Sequence, residues 1–222
     1  MRPYHPIHPN YERFKHLRGS IILVEGIIGA GKSTLGRHLT SMLNEIGISA
    51  RHYDEEVNIP LLELFLSDMK KYAFAFQMYM LQHRQAVYRD AITYCERHNG
   101  VAIVDRSLFG DIAFARMHHT GSNISDDEWK VYESTISSNS LRVPSAILYL
   151  DVTPDVAMRR IKVRNRGSEA SEYDVQYLQA LHDNYMKAMD HDYYQIIHID
   201  WNQDSDLGEE TLVNLLDLIN PK

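Results

Sequence analysis

The chain has 222 residues, 44% of them hydrophobic and 24% charged, the balance of an ordinary soluble globular protein with one sizeable core. With 30 acidic and 23 basic residues the net charge is −7, which opposes a broad electrostatic grip on nucleic acid. No apolar run approaches the roughly 20 residues that span a bilayer, and the single cysteine, Cys95, excludes an internal disulfide and suits a reducing compartment such as the cytoplasm.

In chain order, residues 1–19 carry Pro3, Pro6 and Pro9 but no apolar signal core, and read as a partly ordered arm before a single domain, 20–222. From there β-rich apolar runs alternate with longer helical stretches, the pattern of an α/β parallel sheet flanked by helices. A first strand at 20–24 runs into Gly26-Ile27-Ile28-Gly29-Ala30-Gly31-Lys32-Ser33-Thr34, a match to G-x-x-x-x-G-K-[ST], and a helix follows at 32–46. The glycines let the backbone curl so that N–H groups face phosphate oxygens, and the helix start adds its positive dipole end. Lys32 reaches the β- and γ-phosphates and the Ser33 hydroxyl can ligate Mg²⁺. This P-loop indicates nucleoside triphosphate binding, which ATPases, GTPases and kinases share.

A second strand at 48–53 leads into Asp54-Glu55-Glu56-Val57, and a helix at 72–97 ends before Gly100. The third strand, 101–104, leads into Asp105-Arg106-Ser107. Both acidic segments lie where open α/β sheets place ligands. Phosphoryl transfer needs a base near the attacking hydroxyl, an acid beside the metal, and cations for the moving charge. Position alone does not separate those roles from solvated loop residues. A helix at 125–137 follows, with Ser125 or Asp126 before Glu128 as its capping signal. Next come a strand at 146–150, a helix at 154–164 and a local concentration of cations from Arg159 to Arg166. A helix at 172–189, a strand at 196–199 and a helix at 209–220 complete the chain. His118-His119 reads as a surface pair, Cys95 as a semi-buried apolar residue, and Tyr72, Phe74, Phe76 and Tyr79 as core or cleft packing.

Six short strings in one order resemble the deoxynucleoside kinase family, in particular the bacterial-type deoxyadenosine, deoxyguanosine and deoxycytidine kinases. They are the P-loop with Glu25 before it; Glu55, like the family's E-P-V carboxylate, with Glu56 in place of Pro; Phe76-Gln77-x-Tyr79 with Arg84; Asp105-Arg106-Ser107; Asp111; and Arg160-x-x-x-Arg164-x-Arg166-x-x-Glu169, while Asp200-Trp201-Asn202-Gln203-Asp204 more loosely resembles the family loop that senses the donor base. The resemblance covers roughly 20–204 and implies a P-loop kinase fold with an arginine-rich lid, a homodimer, and transfer of the γ-phosphate of ATP or another nucleoside triphosphate to a deoxynucleoside 5′-hydroxyl. It implies Glu55 as base, with Arg106 beside it, Lys32, Arg160, Arg164 and Arg166 as charge stabilisers, and Ser33 with Asp105 as the Mg²⁺ site. It places Gln77, Arg84 and Asp111 on the base and Glu169 on the sugar. Gln77 and Arg84, seven residues apart, share a helix face. Asp111 could accept from an exocyclic amine, which favours adenine, guanine or cytosine over thymine.

Three departures bear on the acceptor. Leu66 stands where the family has a tyrosine contacting the sugar 3′-hydroxyl, so sugar recognition falls to Glu169. Phe114 comes one residue early, a turn of about 100° on a helix that would point it away from the base. The lid is one residue longer before the helix containing Tyr177. The alternatives are a nucleoside monophosphate kinase, which needs another cation for the acceptor phosphate, and a non-catalytic nucleotide-binding subunit, expected to lose Lys32, Glu55 or the lid arginines.

Overall fold

Five apolar segments, β1 (Ile21–Glu25), β2 (Ala50–Tyr53), β3 (Val101–Asp105), β4 (Ala146–Asp151) and β5 (Ile196–Asp200), pair in parallel in the order β2-β3-β1-β4-β5. The computed structural model describes residues 8–138, 142–190, 194–203 and 208–219; residues 1–7, Asp204 and Asn220, which were assigned to the arm, the final loop and the last helix, lie outside them. β1 and β3 are buried along their whole length and β4 up to its last residue, because helices cover both sheet faces. The alternation of strand side chains divides the core. Ile22, Val24, Ile103 and Leu148 join one cluster, while Ile21, Leu23, Ala102, Val104 and Ile147 pack with Tyr88, Ala91 and Cys95 of a long helix on the other face. Cys95 is buried there, as expected of an apolar residue, and its thiol donates to Ser20 O.

The helices are α1 (Pro9–Phe14), α2 (Lys32–Glu45), α3 (Ile59–Ser67), α4 (Met69–His98), α5 (Leu108–Thr120), α6 (Asp126–Ser137), α7 (Pro154–Arg164), α8 (Glu169–Glu172), α9 (Val175–Ala188) and α10 (Glu209–Asp217). The expected parallel α/β fold is present. Several boundaries differ, each for a local reason. The helix foreseen at 172–189 is two helices, since Asp174 caps a fresh start by accepting from Tyr177 N. Asn99, with φ 47°, takes the left-handed position that ends α4, rather than Gly100. At α6 the cap is Ser125, whose side chain and that of Glu128 complete a capping box. The described part of the arm forms α1 and a 3₁₀ turn (Lys15–Leu17) whose Phe14 and Leu17 are fully buried. Among the described residues no helix is long and apolar enough to cross a membrane.

Candidate active site

Parallel pairing assembles the site from separated segments. Val24 pairs with Asp105 and Tyr53 with Val104, so the P-loop, Glu55 and Asp105-Arg106-Ser107 leave neighbouring strand ends together. Arg106 sits at φ 64°, a left-handed conformation costly for a side-chain-bearing residue, with its N–H donating to Val24 O at 3.0 Å. In the P-loop, a Cβ on Gly29 would run into Ala157 O, so only glycine lets this turn (φ 80°) press against α7. Ile27 and Ala30 are fully buried in the core. Lys32 Nζ donates to Gly26 O and Ile27 O at 3.2 and 3.0 Å inside the loop. Burial first, then Arg106, lowers its pKa to about 8 against the pull of Asp105, Glu55 and Glu25.

A cavity opens beside the loop, walled by Lys32, Ser33, Glu55, Gln77, Arg84, Asp105, Arg106 and Glu169 together with Phe65, Phe76, Phe114, His118, Tyr173 and Tyr177. Glu55 Oε2 accepts from Arg106 Nε at 2.9 Å, and Oε1 accepts from Arg84 Nε at 3.1 Å and Nη2 at 2.5 Å. Burial works to raise the Glu55 carboxyl, but Arg106, Arg84 and Lys32 outweigh it and hold it well below the usual carboxylate range. Ser33 Oγ donates to Asp105 Oδ2, while the buried Oδ1 of Asp105 has no hydrogen-bond partner among the described residues. A hydroxyl beside an orphaned buried carboxylate oxygen suits a hard divalent cation such as Mg²⁺. His52 and Asp54 bring a further ligand atom each to within 4.8 Å of Asp105's, although Asp54 is bonded to Arg37.

Asp111 is fully buried and does not wall the cavity. It stands behind Gln77 and Arg84. Its Oδ1 accepts from Gln77 Nε2 and from the Tyr132 hydroxyl, both at 2.7 Å, and its Oδ2 accepts from Arg84. Burial pushes the Asp111 carboxyl up, and Arg84, Tyr132 and Gln77 pull against it. Phe114 corrects the expectation that it would turn away: it lines the cavity, with the Arg106 guanidinium 4.8 Å above its ring. Leu66 is buried outside the cavity, and Leu62 and Phe65 of α3 line it instead.

The lid is built as the arginine spacing requires. α7 stops at Arg164 because Asn165 adopts φ 50°, and Glu169, buried in the cavity wall, accepts from Arg164. Glu63 of α3 takes hydrogen bonds from Ser168 N and Oγ at 2.8 and 2.7 Å, fastening the lid to the cavity's far side. Arg164 and Arg166 line both the cavity and an adjoining cleft, which also takes in Thr34, Arg37, Arg159, Arg160 and Trp201. Arg160 donates to Ala30 O, Trp201 O and Gln203 O.

Sequence reading missed Tyr132, Tyr185, Glu63, Arg37 and His118. His118 is a correction. It is buried on α5 with Phe65 edge-on to its ring, and the Tyr177 hydroxyl lies 3.3 Å from Nε2. Burial lowers its pKa from 6.5 to about 4. Below about pH 6.5 the unfolded chain therefore takes up a proton that the folded chain refuses, and stability falls with pH until about pH 4. The loss at this position is about 3 kcal/mol. Thermal melts between those limits should show a shallower acid decline for His118→Leu than for the parent chain; equal slopes would refute it.

The sequence profile of the family described as "Deoxynucleoside kinase" matches residues 22–220. A deoxyadenosine kinase of Dictyostelium discoideum is 33% identical over 193 residues, covering 85% of this chain and 75% of the relative. A deoxyadenosine kinase of Lactobacillus acidophilus is 31% identical over 202 residues, covering 87% and 85%. Among solved structures, deoxyadenosine kinase from M. mycoides with bound dCTP superposes with a TM-score of 0.72 at 25% identity, covering 88% of this chain and 96% of the other.

Proposed function

The chain belongs to the deoxynucleoside kinase family and is a deoxynucleoside kinase, and from that premise we propose that its donor is ATP with Mg²⁺ and its preferred acceptor deoxyadenosine, ahead of deoxyguanosine and deoxycytidine, with thymidine refused. The observation that carries this is the cavity whose one end meets the P-loop at Lys32, Glu55 and Arg106. A nucleoside lying in it presents its 5′-hydroxyl to that end. Glu55 accepts the hydroxyl proton, Arg106 stabilises the attacking oxygen, and Lys32 with Arg160, Arg164 and Arg166 neutralises charge on the phosphates. Ser33 and Asp105 are the groups that would hold Mg²⁺, which when bound supplies charge neutralisation at the phosphate oxygens. Cytoplasmic location rests on cysteine usage and a homodimer on the family resemblance.

Base choice follows from commitments already made within the wall. Gln77 gives its NH₂ to Asp111, which leaves Oε1 as an acceptor on the cavity side. Adenine and cytosine can donate an exocyclic amine to it, and guanine its N1–H. Thymine has no exocyclic amine: its one ring donor, N3–H, lies between two carbonyls, and its 5-methyl group would crowd Arg84. Asp111 thus acts through Gln77 and Arg84. Leaving such a group unpaired costs roughly 1–3 kcal/mol. Glu169 is the polar group for the sugar 3′-hydroxyl where Leu66 offers none.

The test is an acceptor panel of the four deoxynucleosides and dAMP with ATP and Mg²⁺, following the phosphorylated product. The expected order has deoxyadenosine first and thymidine lower by about 10- to 100-fold in kcat/KM. Thymidine as best acceptor would overturn the base assignment. Turnover of dAMP alone would make the enzyme a nucleotide kinase.

A further inference from the structure

We infer that Tyr185, backed by Glu25, is a positioning residue for phosphoryl transfer, holding the Arg106 guanidinium at the meeting point of acceptor and phosphate. This rests on the reading of Arg106 just given. Glu25 is a carboxylate at the end of an apolar strand with no exposure to solvent, a costly placement unless its oxygens are satisfied. They are satisfied, among the described residues, without a cation in direct contact. Oε1 accepts from Ser107 N at 2.7 Å, Ser107 Oγ at 2.6 Å and Gly110 N at 3.4 Å, and Oε2 accepts from the Tyr185 hydroxyl at 3.0 Å.

A hydroxyl has one proton to give. Having given it to Glu25, the Tyr185 oxygen accepts from Arg106 Nη1, while Arg106 Nε goes to Glu55. The guanidinium is thus gripped along two edges and backed by the Phe114 ring, so its plane is fixed. Among the described residues its Nη2 has no protein hydrogen-bond partner, and Arg106 lines the cavity. Tyr185 is fully buried and does not line it, so it can act on the reaction only through Arg106. Burial raises the phenol well above its ordinary range, which keeps the proton on the hydroxyl.

The cluster is closed by Gly110. A Cβ there would strike the Tyr185 hydroxyl, Arg106 Cγ and Glu25 Oε2 at once. Glu25 also pins Ser107, next to the strained Arg106 backbone, so one buried carboxylate fixes that arginine from its main chain and from its side chain.

The experiment is a double-mutant cycle on the full chain with deoxyadenosine, ATP and Mg²⁺. Tyr185→Phe should lower kcat by about 10- to 100-fold with both KM values within about 3-fold. In an Arg106→Ala background, measured by single turnover, the same change should alter the rate by less than about 2-fold, because the tyrosine acts through the arginine. Losses that multiply would mean a general structural role and overturn the inference, as would full kcat in Tyr185→Phe beside a crippled Arg106→Ala. Should Tyr185→Phe not fold by circular dichroism, Glu25→Gln takes its place in the cycle with the same expected outcome. A parent chain inactive on every deoxynucleoside overturns the functional reading, and this inference with it.

Discussion

Lys32→Ala should remove about 10³-fold or more of kcat while leaving the fold in place. The size follows from where charge builds up. In a loose phosphoryl-transfer transition state the protein contributes mainly positioning and electrostatics, and a single well-placed donor is worth about 10²–10³ or more. Lys32 is also the cation closest to the loop interior, already held by Gly26 O and Ile27 O. Stability should respond in another way. The pKa of Lys32, lowered by burial to about 8, means that the unliganded fold carries this ammonium at a cost of about 3 kcal/mol. Alanine removes that cost together with two hydrogen bonds, so the melting temperature should move by no more than about 5 °C. Steady-state kinetics and a thermal melt on the same preparation decide the matter. A folded variant with full turnover would remove the P-loop from the mechanism.

The parts of the site legible in the sequence are those where backbone chemistry fixes the residue type. The P-loop needs its glycines and lysine at set spacings, and the strands are runs of apolar residues covered on both faces. The two helices that line the acceptor side, α3 and α5, were missed because neither presents a clean polar stripe. α5 packs against α4 and α9, and buries Gly110, Asp111, Ala113, Ala115, Met117 and His118. A helix buried on several sides has no strong 3.6-residue alternation to read. α3 is a nine-residue apolar stretch, short enough to pass for a strand or loop, although Asn58 before Pro60 marks its start.

The same difficulty explains His118 and Phe114. A pair of histidines looks like surface until the helix carrying it is known to be enclosed. An offset of one residue implies a rotated side chain only if the helix axis is unchanged. Tyr132 and Tyr185 gave no local signal, because a buried hydroxyl aimed at a carboxylate looks, in sequence, like any aromatic on a core face. Glu25 did give one: an acid following four apolar residues of a central strand has to be explained by a partner, and its partners come from the N-cap of α5 and from α9.

Glu55→Gln should lower kcat by roughly 10²–10⁴-fold while nucleoside affinity changes much less. The case is not that Glu55 is a strong base. Arg106, Arg84 and Lys32 overcome the effect of burial and hold its carboxyl well below the usual range, so it is ionised throughout the working pH range but binds a proton weakly. In phosphoryl transfer through a loose transition state the attacking hydroxyl loses its proton late, so the acceptor's placement counts for more than its basicity. Glu55 is placed by the two guanidiniums, which fix both its oxygens beside the cavity. The amide keeps one oxygen acceptor and the side-chain shape. It loses the charge and turns an NH₂ toward one of the arginines, leaving a buried cation short of its partner at a cost of order 3–5 kcal/mol in stability. For that reason kcat must be measured well below the variant's melting temperature, with the nucleoside Kd taken alongside. A kcat within a few-fold of the parent value would pass the proton to Asp105, whose unpartnered Oδ1 also lies in the site. A Kd that rose as much as kcat fell would make Glu55 a binding residue and leave the reaction without a protein base.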